Sequence, residues 1–165
     1  MTPWLAEDIM NPDVLTVRDD MSVRDLALFL TQHEISGAPV IDGEGRPVGV
    51  VSETDVVSVD RAGRKDLAVS SSYYRRAFEN RDQIEAIRGL RIEEENLQVS
   101  DIMTPLVISV GREMPVSRIA RLMLHDHIHR VIVRDGESIA GIVTTFDMLR
   151  LFVDDESADV LRKIG

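Results

Sequence analysis

The stretch Gly49-Val50-Val51-Ser52-Glu53-Thr54-Asp55 returns as Gly141-Ile142-Val143-Thr144-Thr145-Phe146-Asp147, and the repetition extends well beyond it. At an offset of 93 residues, Asp8-Ile9-Met10 falls on Asp101-Ile102-Met103 and Pro12 on Pro105. Val17, Met21, Val23, Ala27, Ile35 and Val40 meet Val110, Met114, Val116, Ala120, Ile128 and Val133, and Asp42-Gly43-Glu44 meets Asp135-Gly136-Glu137. By Gly49 and Gly141 the offset is 92, so one residue is lost in the Gly-rich turn, where a surface loop tolerates it. The chain is a duplication. Neither copy is long enough to bury a core well by itself, so the two should pack together.

Each copy predicts a β-α-β-β-α unit, an α/β (α+β) class with pseudo-twofold symmetry between the halves. An extended segment (Val14 to Val17; Leu106 to Val110) follows Asp-Ile-Met-x-Pro. A helix comes next, with Val23, Leu26, Ala27 and Leu30, or Val116, Ile119, Ala120 and Met123, on one face. Ser22 with Asp25 forms a capping box, and Pro115 opens the second copy's helix. Two β-type runs then flank Asp42-Gly43 and Asp135-Gly136, both strong turn signals. Ser52 and Thr144 read as N-caps of a final helix beginning after the aspartates. The expected boundaries are repeat 1 over 1–57, an insert over 58–98, and repeat 2 with its tail over 99–165. The insert reads as exposed and mobile, with one or two helices.

Composition narrows the function. There is no apolar run near the ~20 residues of a membrane span and no secretory leader, so no membrane partner is expected. The absence of cysteine excludes disulfides and thiolate sites and fits a reducing compartment, with the cytoplasm as the expected location. A formal charge of −10 argues against general nucleic-acid binding. Between Arg61 and Arg91, however, eight basic residues face four acidic ones. Tyr73-Tyr74-Arg75-Arg76 in that stretch reads as a solvated helix offsetting the acidic body; contact with a partner, an anionic ligand tail or RNA is the alternative.

A hydroxyl with an acid three residues on is first of all a helix cap. The same geometry also suits a nucleotide. Unpaired amides and a hydroxyl at a helix N-terminus favour phosphate. A carboxylate one turn in accepts from both ribose hydroxyls. Gly49 and Gly141 would admit a flat ring or another backbone. His125-Asp126-His127-Ile128-His129 invites a metal, but it falls where a helix ends, and no carboxylate–His spacing supports one, so no metal site is expected. No G-x-S-x-G, P-loop or H-E-x-x-H occurs, and the chain is not expected to be an enzyme.

The duplicated Asp-Ile-Met-x-Pro, the stretch Ile35-Ser36-Gly37-Ala38-Pro39-Val40-Ile41-Asp42 and the paired Gly-x-x-Ser/Thr-x-x-Asp resemble a tandem pair of cystathionine-β-synthase-type (CBS) domains, the Bateman module. The resemblance covers about Ala6 to Val57 and Val99 to Leu149. It implies a stand-alone regulatory module that binds adenosyl ligands in clefts between the repeats and signals to an unidentified regulated protein or to its own homodimer. It implies no obligatory cofactor. AMP, ADP, ATP, NAD or S-adenosylmethionine would be the ligand, with Asp55 and Asp147 on ribose and Ser52 and Thr144 on phosphate. The base would rest beside Gly37, Ala38 and Pro39 in one cleft and Val131 and Ile132 in the other, with backbone near Thr16 and Ile108 reading its edge. His129 and Arg130 stand where the family often approaches phosphate, whereas repeat 1 has Ser36 and Gly37 there; the two sites should be unequal. A dimerisation scaffold without ligand is the alternative.

Overall fold

A computed structural model describes residues 3–62, 72–75 and 97–153. In repeat 1, β1 (Val17–Arg18) leads through α2 (Val23–Gln32) to a parallel neighbour, β2 (Gly37–Ile41), which turns back antiparallel into β3 (Pro47–Ser52). In repeat 2, β4 (Ser109–Gly111), α6 (Val116–Asp126), β5 (Arg130–Asp135) and β6 (Ser138–Thr144) repeat the pattern in a second three-stranded sheet. Helix α3 (Glu53–Ala62) closes the first unit and a helix over 145–153, α7, closes the second. The β-α-β-β-α expectation is borne out.

The lost residue sits in the hairpins. Strands β5 and β6 pair as far as Asp135 and Ser138, leaving a two-residue turn with Gly136 at φ 58°. In repeat 1 the last pair is Ile41 with Pro47, and Gly45 at φ 81° turns the longer loop. Glycine takes this left-handed backbone without steric cost. Glu34 and His127, counterparts in the two copies, both end their helices at positive φ (53° and 54°). The His-rich run is thus divided by a helix stop.

The lead-in segments are exchanged between the repeats. Short helix α1 (Ala6–Ile9) does not pack on its own repeat: Ala6 N donates to Met114 O at 2.9 Å and Glu7 N to Arg112 O at 3.1 Å. Its counterpart α5 (Val99–Ile102) docks on repeat 1, with Val99 N on Met21 O (2.8 Å) and Ser100 N on Asp19 O (2.9 Å). Asp8 and Asp101 cap these turns, each accepting from the amide three residues earlier, Leu5 N at 2.8 Å and Gln98 N at 2.9 Å. Val99 and Ile102 are buried in the core of Val23, Leu26, Leu30 and Val40, while Ala6 joins Ile119, Met123 and Val133. Val99 and Ile102 each contribute about 1.5–3 kcal/mol on burial, and Ala6 less.

Beyond the short helices, each lead-in runs antiparallel along the other repeat's edge strand. Asn11 and Ile142 exchange two backbone hydrogen bonds of 2.9 Å; Thr104 and Val50 exchange bonds of 2.9 and 3.0 Å. The motif glycines stand at these crossings. A Cβ on Gly49 would lie 2.7 Å from Thr104 O, and one on Gly141 would lie 2.9 Å from Asn11 O. Of the two uses expected for these glycines, the close approach of another backbone is the one the fold makes.

Ile102→Ala should therefore destabilise the protein by about 2–4 kcal/mol. Hydrogen exchange should locate the first loss of amide protection in β2 and β3, the sheet of the other repeat; loss confined to β5 and β6 would contradict the exchange.

Candidate functional site

The lead-in to repeat 1 crosses repeat 2 before entering its own sheet, and a cleft of about 360 Å³ opens beneath it. Asn11, Asp13, Val14 and Leu15 form one wall, with Ile35, Gly37 and Pro39 below. Repeat 2 supplies His129, Arg130, Ile142, Thr144 and Phe146, and Tyr73 comes from the insert. Both copies contribute to one cavity.

Thr144 joins the cleft to the second aspartate. Its amide and hydroxyl both donate to Asp147 Oδ2, at 2.8 and 2.7 Å, and Asp147 N points back to Thr144 Oγ1 at 3.4 Å. This capping box holds the carboxylate at the third position of α7, so the helix starts before the aspartate rather than after it. The hydroxyl proton is committed to the carboxylate, so Thr144 Oγ1 presents lone pairs, which suit a donor. Among the described residues, the partner of Asp147 Oδ1 is the exposed Arg150 guanidinium, 3.7 Å away. Hydroxyls of a sugar are donors of the right kind for both oxygens.

Ser52 and Asp55 repeat the geometry, with Oδ2 accepting from Ser52 N (2.8 Å) and Oγ (3.0 Å), but both residues are buried. The surroundings differ because of a segment outside the duplication. Residues Ser72–Arg75 form a single turn, α4, and its two tyrosines are 3% and 2% exposed. The solvated-helix expectation for this stretch is wrong at the tyrosines: aromatic area outweighed the charge of their neighbours. The remainder of the 58–98 insert, apart from α3 and the residues from Leu97, lies outside the described residues, as does the tail from Asp154.

Tyr74 Oη accepts from Ile108 N at 2.8 Å and donates to Leu106 O at 3.3 Å, while Tyr74 O accepts from His129 N at 2.6 Å. Leu106 and Ile108 are the counterparts of Asp13 and Leu15, which line the open cleft. The symmetry-related position is thus filled by a tyrosine. Tyr73 stands edge-on to Tyr74, with ring centroids 5.1 Å apart, and the buried Arg130 guanidinium lies 5.0 Å above its ring. A Cβ at Gly37 would lie 2.6 Å from Val51 O and 2.9 Å from Tyr73, so glycine is needed where repeat 2 has arginine.

Of the residues singled out from the sequence, Gly37, Pro39, His129, Arg130 and Thr144 line the open cleft, with Asp147 bonded behind Thr144. Thr16 is half-buried just past Leu15, and the Ile108 amide is held by Tyr74. Ala38, Val131 and Ile132 lie within the hydrophobic cores. Sequence reasoning missed Asn11, Asp13, Leu15, Ile142 and Phe146, since the exchange that assembles them has no local signal. Among the described residues, no group of three or more His, Cys, Asp or Glu side chains is placed to hold a metal. His125 instead contacts Asp126 at 2.6 Å, on the surface.

Burial pushes the Tyr74 phenol above its ordinary range. Because its folded value is raised, the stability it contributes is full below the ordinary phenol value of about 10 and lost as pH climbs from there toward the folded value. In Tyr73→Phe, Tyr74 is the one remaining tyrosine. Its absorbance titration should lag that of free tyrosine, whereas an ordinary midpoint would place the hydroxyl in water.

The CBS domain model matches residues 6–62 and 99–154. An uncharacterised protein of Methanocaldococcus jannaschii is 31% identical over 158 residues, covering 90% of this chain and 91% of its own. Three further relatives from that organism are longer, this chain spanning 31%, 23% and 23% of them; two are enzymes, an L-aspartate semialdehyde sulfurtransferase and an inosine-5'-monophosphate dehydrogenase. The fold is also that of the CBS domain pair of protein MJ0100, solved with 5'-methylthioadenosine and S-adenosyl-L-methionine (25% identity, TM-score 0.61, 90% of this chain and 99% of that one). CBSX2 in complex with AMP shares it too (24% identity, TM-score 0.66, 93% and 98%). The exchanged lead-ins, the paired sheets and the doubled cap motif thus have a common source: the chain belongs to the CBS-domain family, as a tandem pair.

Proposed function

We propose that this CBS pair is a regulatory module that takes one adenosyl ligand in the open cleft and passes its occupancy to a regulated protein or to its own homodimer. The observation that carries this is the cleft's composite wall, in which the Thr144–Asp147 pair of one repeat faces the Asp13–Leu15 backbone of the other. Ribose hydroxyls fit Asp147 Oδ1 and Thr144 Oγ1. An adenine edge fits the lead-in backbone, and Arg130 supplies positive charge for a phosphate or carboxylate, with the His129 ring beside it. The adenosyl ligands of the MJ0100 domain pair support this class. AMP, ADP, ATP, NAD and S-adenosylmethionine all carry the group that the cleft fits. A cytoplasmic location agrees with the cysteine-free composition.

Calorimetric titration with AMP, ATP and S-adenosylmethionine tests the assignment. Asp147→Ala should weaken binding roughly tenfold to a hundredfold, the value of a hydrogen bond to a charged group. Asp55→Ala, which loses an equivalent cap but faces a filled cleft, should change affinity less than about threefold on the same scale. Equal losses would contradict the inequality of the clefts, and no binding by wild type would favour the scaffold.

The homodimer has an available face. Leu124 is 77% exposed on α6, and Leu149 and Phe152 are exposed on α7, beside a second cleft of about 360 Å³ lined by Met123, His127 and Met148. A second copy burying these side chains would remove an apolar patch from water. Leu124→Glu should shift sedimentation from dimer toward monomer; an unchanged coefficient would put the interface elsewhere.

A further inference from the structure

Tyr74 makes contacts resembling those of a ligand. Its hydroxyl accepts from the Ile108 amide at 2.8 Å and donates to the Leu106 carbonyl at 3.3 Å. An acceptor beside a donor on an aromatic ring is also what adenine offers along its N1 and N6 edge. The backbone that Tyr74 uses is the counterpart, 93 residues on, of the Asp13–Leu15 wall of the open cleft. The ring is 2% exposed, and the turn is fastened by His129 N on Tyr74 O at 2.6 Å and by Arg130 over Tyr73 at 5.0 Å. Gly37 has no side chain to obstruct Tyr73.

We propose that Tyr74 is a built-in occupant of the second, Asp55-side cleft, standing where the base of an adenosyl ligand would lie, so that the module binds one ligand per chain and admits a second only when the tyrosine leaves. This rests on the adenosyl reading of the clefts. The covalently attached ring competes at high effective concentration, so a diffusing ligand displaces it only where its concentration relative to its own Kd exceeds that of the tethered ring. The same turn touches both clefts: Tyr74 fills one, and Tyr73 with Arg130 forms part of the wall of the other. Ligand in either cleft therefore acts on α4, and the two sites are linked through it.

The test is calorimetric titration of the full chain with AMP, for wild type, Tyr74→Ala and Tyr74→Phe, with hydrogen exchange followed at Ile108. Wild type should take one AMP. Tyr74→Ala should take two, and Asp55→Ala added to it should remove the second while leaving the first. Tyr74→Phe keeps the ring and the packing but not the hydroxyl; it should lose protection at Ile108 and bind a second AMP more weakly than Tyr74→Ala does. One AMP in wild type and in both variants overturns the inference and leaves the adenosyl reading standing. Two in wild type overturn it as well. No AMP in any of the three overturns the adenosyl reading and the inference with it. If Tyr74→Ala does not fold, Tyr74→Phe decides, and a Phe variant still limited to one AMP despite an unprotected Ile108 amide counts against the proposal.

Discussion

Two antiparallel contacts, Asn11 with Ile142 and Thr104 with Val50, govern the rest of the molecule. Each needs a glycine beside it, because a side chain at Gly49 or Gly141 would strike the crossing strand. Through them each lead-in is held on the opposite repeat before it enters its own sheet. Each core takes in residues of the other copy's lead-in, and the open cleft is walled by both copies. A ligand in the open cleft would touch both halves, as the proposed coupling of occupancy to their packing requires.

The copies share a backbone plan and differ where it matters chemically. Repeat 2 places His129 and Arg130 at the start of β5; repeat 1 places Ser36 and Gly37 at the start of β2. The glycine leaves a gap that Tyr73 occupies, and Arg130 lies against the ring from the other side. One small residue and one cation thus border Tyr73, which lines the open cleft, while Tyr74 takes the backbone of the symmetry-related lead-in. Equal motifs do not make equal sites when a third segment can reach one of them.

Much of this was legible in the residues. The offset of 93 and its slip to 92 located the strands, helices and hairpins, since glycine turns and apolar spacing are local signals that each copy carries. The Ser/Thr-x-x-Asp pairs were recognisable as caps because a cap is made within four residues. The exchange of α1 and α5 was not legible: Asp-Ile-Met-x-Pro reads as a one-turn helix wherever it docks, and only the hydrogen bonds to Met114 and Met21 show which repeat receives it. Consequently nothing in the sequence connects Asp13, Leu15 and Phe146 with Asp147. Tyr73 and Tyr74 were misjudged because charge at Arg75 and Arg76 suggested solvent, whereas two aromatic side chains had area enough to be drawn inward.

One composite cleft, and not its partner, is proposed to receive the ligand. Amide chemical shifts of the 15N-labelled chain during addition of AMP test it directly. The largest shifts should fall at Asp13, Leu15, Arg130 and Thr144, with only small ones relayed through α4 to Leu106 and Ile108 and none centred on Ser52. Shifts centred on Ser52 and Ile108, with the Thr144 side unmoved, would contradict it.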